Sequence, residues 1–232
     1  MKVVILAGGL GTRISEETRN KPKPMVKIGP FTLIEHIMNI YGKFDITEFI
    51  IATGYMHEVI ERYFEKFTRF SVMPFFTGES TKTGGRIKRV FSEFSDETMC
   101  VTYGDGLSNV NIEKSISFHS EHRCLATVTA VQPQARFGRL DIINDSVIKF
   151  GEKIQSNEGW INGGFFVLNR KVADYISGDD MPFENDPLVK LSSEGQLKAF
   201  KHDGFWSPVD SLREKQDLEV LWNDGKPPWT LN

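Results

Sequence analysis

The residues most able to do chemistry lie in the first two dozen positions. The apolar run Val3-Val4-Ile5-Leu6 breaks into Ala7-Gly8-Gly9-Leu10-Gly11-Thr12-Arg13, and Lys23 follows within Lys21-Pro22-Lys23-Pro24. Glycines directly after a buried strand let the backbone turn sharply and approach a ligand with no Cβ in the way. A loop of exposed N–H groups makes an anion cradle. Arg13 and Lys23 add fixed positive charge where a polyphosphate would lie. The guest this chemistry suits is a nucleoside triphosphate.

Two familiar glycine loops do not fit. The dinucleotide fingerprint needs a third small residue and an acid at the end of the second strand. Here Ile14 takes the first place, and Ile50-Ile51-Ala52-Thr53 ends without an acid. The P-loop needs Gly-Lys followed by Ser or Thr, whereas Gly11 is followed by Thr12-Arg13. By its glycines alone the loop is equally a tight structural turn; the added spacing to Arg13 and Lys23 favours the phosphate reading. Two aspartates extend the constellation. Asp105, flanked by Gly104 and Gly106, reads as a turn residue or as a magnesium ligand. Asp210, before Ser211-Leu212-Arg213-Glu214, reads as a helix N-cap or as the second carboxylate of that metal site.

These groups need an α/β frame. Helical spacing marks Phe31 to Gly42, Met56 to Phe67, a stripe from Ile87 to Phe94, and Ile112 to His122. Apolar strands fall between them at Phe49–Ala52, Ser71–Phe76, Met99–Tyr103 and Leu125–Val131. That alternation predicts a mostly parallel sheet covered on both faces. After Val131 short β segments crowd together at 139–143, 147–150 and 160–168. Short helices around Val172–Ile176 and Pro187–Ser193, a strand at Gln196–His202 and a helix at Ser211–Trp222 close the chain. We read one domain over 1–232, with a nucleotide-binding core at 1–131 and a β-rich acceptor part at 132–232. Open sheets bind ligands beyond the carboxyl ends of their strands. The glycine loop and Gly104-Asp105-Gly106 both fall there.

Composition bounds the partners. The chain has 232 residues, is 40% hydrophobic and 25% charged, and carries a net charge of −3, which offers no bulk attraction for nucleic acid or an anionic membrane. No apolar run is long enough to span a bilayer. The amino terminus has one lysine before its short strand, unlike a secretory leader. Cys100 and Cys124 read as buried free thiols, in keeping with a cytoplasmic protein. The five histidines show no metal-ligand spacing; His119 and His122 read as solvated helix residues.

With these motifs in order, the chain resembles the sugar-1-phosphate nucleotidyltransferases, and among them the glucose-1-phosphate cytidylyltransferases. The resemblance runs through Leu6 to Arg13, Lys21 to Met25, Thr83-Gly84-Gly85-Arg86, Thr102 to Gly106, Arg136-Phe137-Gly138, Glu152-Lys153, Asn162 to Phe166, and Gly204 to Asp210. It implies a single Rossmann-like, glycosyltransferase-A-like domain. It implies that Leu6, Ala7, Gly8, Gly9, Gly11, Thr12, Arg13 and Lys23 hold the nucleotide. Thr81, Arg86 and Gly104 would line the nucleoside pocket, and Asp105 and Asp210 would hold Mg²⁺. Gly138, Glu152, Lys153, Asn162 and Gly163 would take the sugar phosphate. Arg13, Lys23 and Asp105 would carry the catalysis. Relatives of this kind assemble as homo-oligomers.

The implied reaction is attack by a phosphate-monoester oxygen on the α-phosphorus of CTP, with pyrophosphate leaving in line. The monoester is already largely dianionic at neutral pH, its second pKa being about 6, so no protein nucleophile is required. The choice of CTP over UTP or dTTP comes from the resemblance and not from spacing. Two departures stand out. The segment from Phe70 to Thr83 is compact where such relatives carry an insertion, and Glu152-Lys153 is followed by Ile154 in place of proline. An acceptor such as glycerol phosphate, or a non-catalytic nucleotide-sugar-binding role, are the alternatives.

Overall fold

The computed structural model describes residues 1–132, 139–143, 146–151 and 159–230. The order of elements begins with β1 (Val3–Ala7), α1 (Ser15–Thr18), β2 (Lys27–Ile28), β3 (Phe31–Thr32), α2 (Leu33–Gly42), β4 (Glu48–Thr53), α3 (His57–Phe64), β5 (Ser71–Phe76), α4 (Thr83–Glu93) and β6 (Thr98–Tyr103). It continues with β7 (Gly106–Ser108), α5 (Ile112–His122), β8 (Ala126–Val131), β9 (Arg139–Ile143), β10 (Ser146–Gly151), β11 (Ile161–Asn169), α6 (Asp186–Ser193), β12 (Leu197–His202), β13 (Trp206–Pro208) and α7 (Leu212–Asn223).

Seven strands form one sheet in the order β12-β8-β11-β6-β1-β4-β5. The pairs β1/β4, β1/β6, β4/β5 and β12/β8 are parallel, and β11 runs antiparallel to both β6 and β8. The expected mostly parallel sheet is present, with β11 as the reversed strand. Alternate side chains explain why the central strands read as continuous apolar runs. Val3, Ile5 and Ala7 enter one core cluster with α2, while Val4 and Leu6 enter a second with Ile87, Val90 and Phe91 of α4. Phe165 and Val167 likewise face the first cluster, and Phe166 and Leu168 the second.

Several boundaries move for local reasons. Phe31–Thr32 is a short strand, and α2 begins only at Leu33. Thr32 caps α2 in a reciprocal box with Glu35. Met56 sits in the left-handed region (φ 54°), so α3 starts at His57 and ends at Phe64. The segment expected as a helix near Val172–Ile176 is a 3-10 turn, Arg170–Tyr175.

Two side-chain expectations are corrected. Cys100 is buried, but Cys124 is half-buried in the turn before β8. His119 is buried, not solvated, with Nδ1 2.9 Å from Thr127 Oγ1. His122 Nδ1 accepts the Cys124 N–H at 2.9 Å, so its Nε2 carries the proton in the neutral ring and donates to the same Thr127 hydroxyl at 2.7 Å. Burial, and then the neighbouring His122, push the His119 pKa down to about 4. A histidine depressed in the folded chain stabilises it above the unfolded value near 6.5, and that contribution is lost as pH falls toward about 4. His119→Gln is therefore expected to flatten the fall in Tm between those two pH values, measured by thermal denaturation against the unaltered chain.

Candidate active site

The glycine loop leaves β1 at its carboxyl end, as the open-sheet rule requires. Gly9 and Leu10 are exposed, and nothing lies within 4 Å of where a Cβ on Gly9 would stand. The loop is therefore open above Gly9. Below, it rests on Arg86, which is 3% exposed. The Arg86 guanidinium donates to Thr53 O and Thr77 Oγ1 at 2.6 Å each, to Gly8 O at 3.0 Å and to Glu79 O at 3.4 Å. Burial, and then repulsion from Arg89, hold its pKa down to about 10, still cationic at neutral pH. Arg86 thus joins Gly8 to the ends of β4 and β5 and sits beneath the loop. Thr81 is buried nearby, its Oγ1 against Gly78.

A Cβ on Gly8 would stand 2.0 Å from Arg86 Cζ. Gly8→Ala is expected to displace the guanidinium from its four bonds and cost about 2–3 kcal/mol, a Tm loss of roughly 5–10 °C. Gly9→Ala, with open space around it, should leave Tm within about 2 °C. Differential scanning calorimetry of the two variants checks this.

Lys23 stands where three segments meet. It opens a short 3-10 turn, Lys23–Met25, whose fixed φ at Pro22 and Pro24 shapes the backbone. Gly11 has φ 63°, and a Cβ there would lie 2.9 Å from Lys23 Cβ. Gly104 presses on the other side, since its Cβ would lie 2.8 Å from Pro24 Cγ and 2.9 Å from Leu6 O. Glycine at both positions lets the loop, the lysine turn and the end of β6 pack together.

The Lys23 ammonium donates to Asp105 Oδ2 and to Asp210 Oδ1, at 2.6 Å each. Lys23 is 8% exposed, while the two carboxylates keep about a quarter of their surface open, 29% and 26%. A small two-stranded sheet, joining segments far apart in the chain, makes this meeting possible. Strand β7 pairs antiparallel with β13, with Gly106 opposite Pro208, and the Val209 N–H donates to Asp105 O at 2.9 Å. The capping role considered for Asp210 belongs to its neighbour. Ser211 is the N-cap of α7, its Oγ accepting from Glu214 N, and the Glu214 carboxylate accepts the Asp210 N–H at 2.8 Å. Glu17 of α1 binds Lys215 of α7 at 3.1 Å, which ties the end of the glycine loop to the helix that follows Asp210.

Two of the residues expected on the acceptor side, Asn162 and Gly163, lie on β11. Its register against β8 shifts between Asn162 and Phe166. Gly164 has φ 78°, and its Cβ would strike the Tyr103 ring at 2.4 Å. Asn162 donates to the Tyr103 hydroxyl at 3.2 Å, and Trp206 of β13 donates to Gly163 O at 2.8 Å. Asn162 and Gly163 therefore lie beside the strand end that carries Asp105. Gly138, Glu152 and Lys153 lie outside the described residues, as does the side chain of Arg13. Sequence reasoning missed Tyr103, Trp206 and Glu184 as members of this cluster. The Tyr103 hydroxyl donates to Glu184 Oε1 at 2.5 Å. Burial, and then the Glu184 charge, raise the Tyr103 pKa far above its ordinary value, so the hydroxyl keeps its proton. Tyr103 and Trp206 lay within the Thr102–Gly106 and Gly204–Asp210 runs without being singled out, and the signal available for Glu184 was the polar Glu184-Asn185-Asp186 run before Pro187.

Two carboxylates and a lysine thus meet beside an open glycine loop at the carboxyl edge of this sheet. The family description "Nucleotidyl transferase" matches residues 2–224, and the chain belongs to that family. It is 46% identical to a glucose-1-phosphate cytidylyltransferase of Salmonella typhimurium, covering 99% of this chain and 98% of the relative. It is 37% identical to a probable glucose-1-phosphate cytidylyltransferase of Bacillus subtilis over the full length of both. Among solved structures, HddC from Yersinia pseudotuberculosis complexed with GMP-PN superposes with a TM-score of 0.77 at 26% identity, over 95% of this chain and 99% of that one.

Proposed function

We propose that this chain transfers CMP from CTP to α-D-glucose 1-phosphate, giving CDP-glucose and pyrophosphate. The observation that carries the reading is one ammonium, that of Lys23, bonded to both Asp105 and Asp210 beside the glycine loop. The likeness to cytidylyltransferases over whole chains supports the choice of substrates.

The acceptor phosphate is already a nucleophile at neutral pH, so the work left to the protein is positioning and charge neutralisation. In this reading Leu6 to Arg13 and Lys23 hold the triphosphate, Thr81 and Gly104 bound the nucleoside, and Arg86 keeps the loop in shape from below. Asn162 and Gly163, with Gly138, Glu152 and Lys153, hold the sugar phosphate. Residues 1–131 then serve the nucleotide and 132–232 the acceptor.

The donor set fits Mg²⁺. Asp105 and Asp210 present hard oxygen donors to a shared cation, and no group of three or more His, Cys, Asp or Glu side chains among the described residues offers a fuller cage. Mg²⁺ takes one or two carboxylates and fills its shell with substrate phosphates and water. When bound, it supplies charge neutralisation on phosphate oxygens. The free thiols Cys100 and Cys124 suit a reducing compartment, and no helix among the described residues is long and apolar enough to cross a membrane. We place the activity in the cytoplasm on the ground of the two free thiols alone.

The test is pyrophosphate release with CTP, Mg²⁺ and a panel of glucose 1-phosphate, other sugar 1-phosphates and glycerol phosphate. The highest kcat/KM is expected with glucose 1-phosphate. No release with any acceptor would reject the reading, and a higher kcat/KM with glycerol phosphate would move the acceptor.

A further inference from the structure

One charged side chain in the cleft is used by nothing above. Glu184 precedes α6 in the segment between the 3-10 turn Arg170–Tyr175 and that helix. Its Oε1 accepts the Tyr103 hydroxyl at 2.5 Å, and its Oε2 accepts the Thr83 hydroxyl at 2.6 Å. Thr83 is the first residue of α4, the helix that carries Arg86, and its oxygen accepts the Phe183 N–H at 2.8 Å. Tyr103 lies two positions before Asp105, and its hydroxyl accepts from Asn162. The chain of donors thus runs toward Glu184 from both sides, from Asn162 through Tyr103 and from Phe183 through Thr83.

This arrangement fixes the Asn162 amide. Its nitrogen faces Tyr103, and its oxygen accepts the Gly164 N–H at 2.8 Å. Glu184 is exposed even so. A carboxylate accepts about four hydrogen bonds, and the two protein hydroxyls use only part of that capacity. A negative group here repels a phosphate, so what it suits is the hydroxyl-rich end of a polyol.

The geometry points to Glu184 as a specificity-determining residue that accepts a hydrogen bond from a ring hydroxyl of the acceptor sugar. Through Tyr103 it also orients Asn162, the neighbouring acceptor residue. This rests on the nucleotidyltransferase reading of the site and deepens it. The carboxylate couples α4 on the nucleotide side to β11 on the acceptor side, and it discriminates acceptors by hydroxyl pattern and not by charge.

The experiment compares Glu184→Gln, Glu184→Asp and Tyr103→Phe with the unaltered protein. KM is measured for glucose 1-phosphate and for CTP, with each deoxyglucose 1-phosphate in turn and with Tm as the folding control. Loss of one hydrogen bond to a charged group corresponds to roughly 10- to 100-fold. Glu184→Gln should raise the glucose 1-phosphate KM by that factor while the CTP KM moves less than about threefold. One deoxy sugar should be poor with the unaltered protein and no worse than glucose 1-phosphate with Glu184→Gln. Tyr103→Phe should give a smaller rise, and Glu184→Asp partial recovery. An unchanged glucose 1-phosphate KM in Glu184→Gln, equal rises for both substrates, or a deoxy pattern that is the same in both proteins would overturn the assignment. If the unaltered protein releases no pyrophosphate from CTP, the functional reading itself fails, a result separate from a Glu184→Gln variant that behaves like its parent.

Discussion

Lys23→Met is expected to lower kcat by at least about a hundredfold and, unusually for a site substitution, to lower Tm as well. In the folded chain its ammonium is the shared partner of Asp105 and Asp210 at 2.6 Å from each. Removing it leaves two carboxylates facing each other in a cleft where the lysine was almost fully enclosed. Deleting one member of a buried pair is strongly destabilising. With about a quarter of each carboxylate open to water, the penalty is discounted to about 2 kcal/mol, a Tm loss of about 4–8 °C. The sign of a second effect follows. Millimolar Mg²⁺ should restore much of that Tm, because a divalent cation then binds at the two carboxylates without competition from the Lys23 ammonium. Calorimetry with and without Mg²⁺, beside steady-state kinetics, checks both. A variant with unchanged Tm and a defect confined to the acceptor KM would place the lysine outside the reacting phosphates.

Asp105→Asn should produce the larger kinetic defect and the smaller structural one. The amide keeps the shape of the side chain and removes one of the two charges proposed to hold a cation. Lys23 retains Asp210, so no unpaired charge is left behind, and Tm is expected to stay within about 3 °C. Turnover should fall by about a thousandfold or more, the scale of losing a preorganised charge contact in the transition state. Raising Mg²⁺ should recover part of it if the loss is in cation affinity. Kinetics over a Mg²⁺ series measure this.

The two glycine-marked loops at the sheet edge were legible before any coordinates because their residues carry local signals. Gly8, Gly9 and Gly11 after a β-branched run mark a strand-to-loop exit, and Gly104 and Gly106 mark a second one. That both fall at the carboxyl edge of the sheet follows from the β-α order, and the parallel pairing of β1 with β6 is what sets them side by side. What could not be read depended on long-range geometry. The three-residue strands β7 and β13 are too short to show a period, yet their pairing is what brings Asp210 to Asp105. Asp210 read as the N-cap of the last helix, and the bond from Glu214 N to Ser211 Oγ gives that role to the next residue instead. Arg86 in Thr83-Gly84-Gly85-Arg86 was expected to face the nucleoside. A charged side chain at 3% exposure, spent on three carbonyls and a hydroxyl, has no signature in sequence. His119 turned inward for the same kind of reason, a partner on the next strand, Thr127, that helix periodicity does not reveal.

The account stands on Asp105 and Asp210 acting as one cation-holding unit. The direct test is the kcat of Asp105→Asn, Asp210→Asn and the double variant, all measured with CTP and glucose 1-phosphate at matched Mg²⁺. Groups that act together are strongly non-additive. The Asp105→Asn loss should be about a thousandfold and the Asp210→Asn loss about a hundredfold or more, and the double variant should be no slower than the slower single by more than a few-fold. An Asp210→Asn variant that turns over within about threefold of the unaltered protein, or losses that simply multiply, would contradict the shared site.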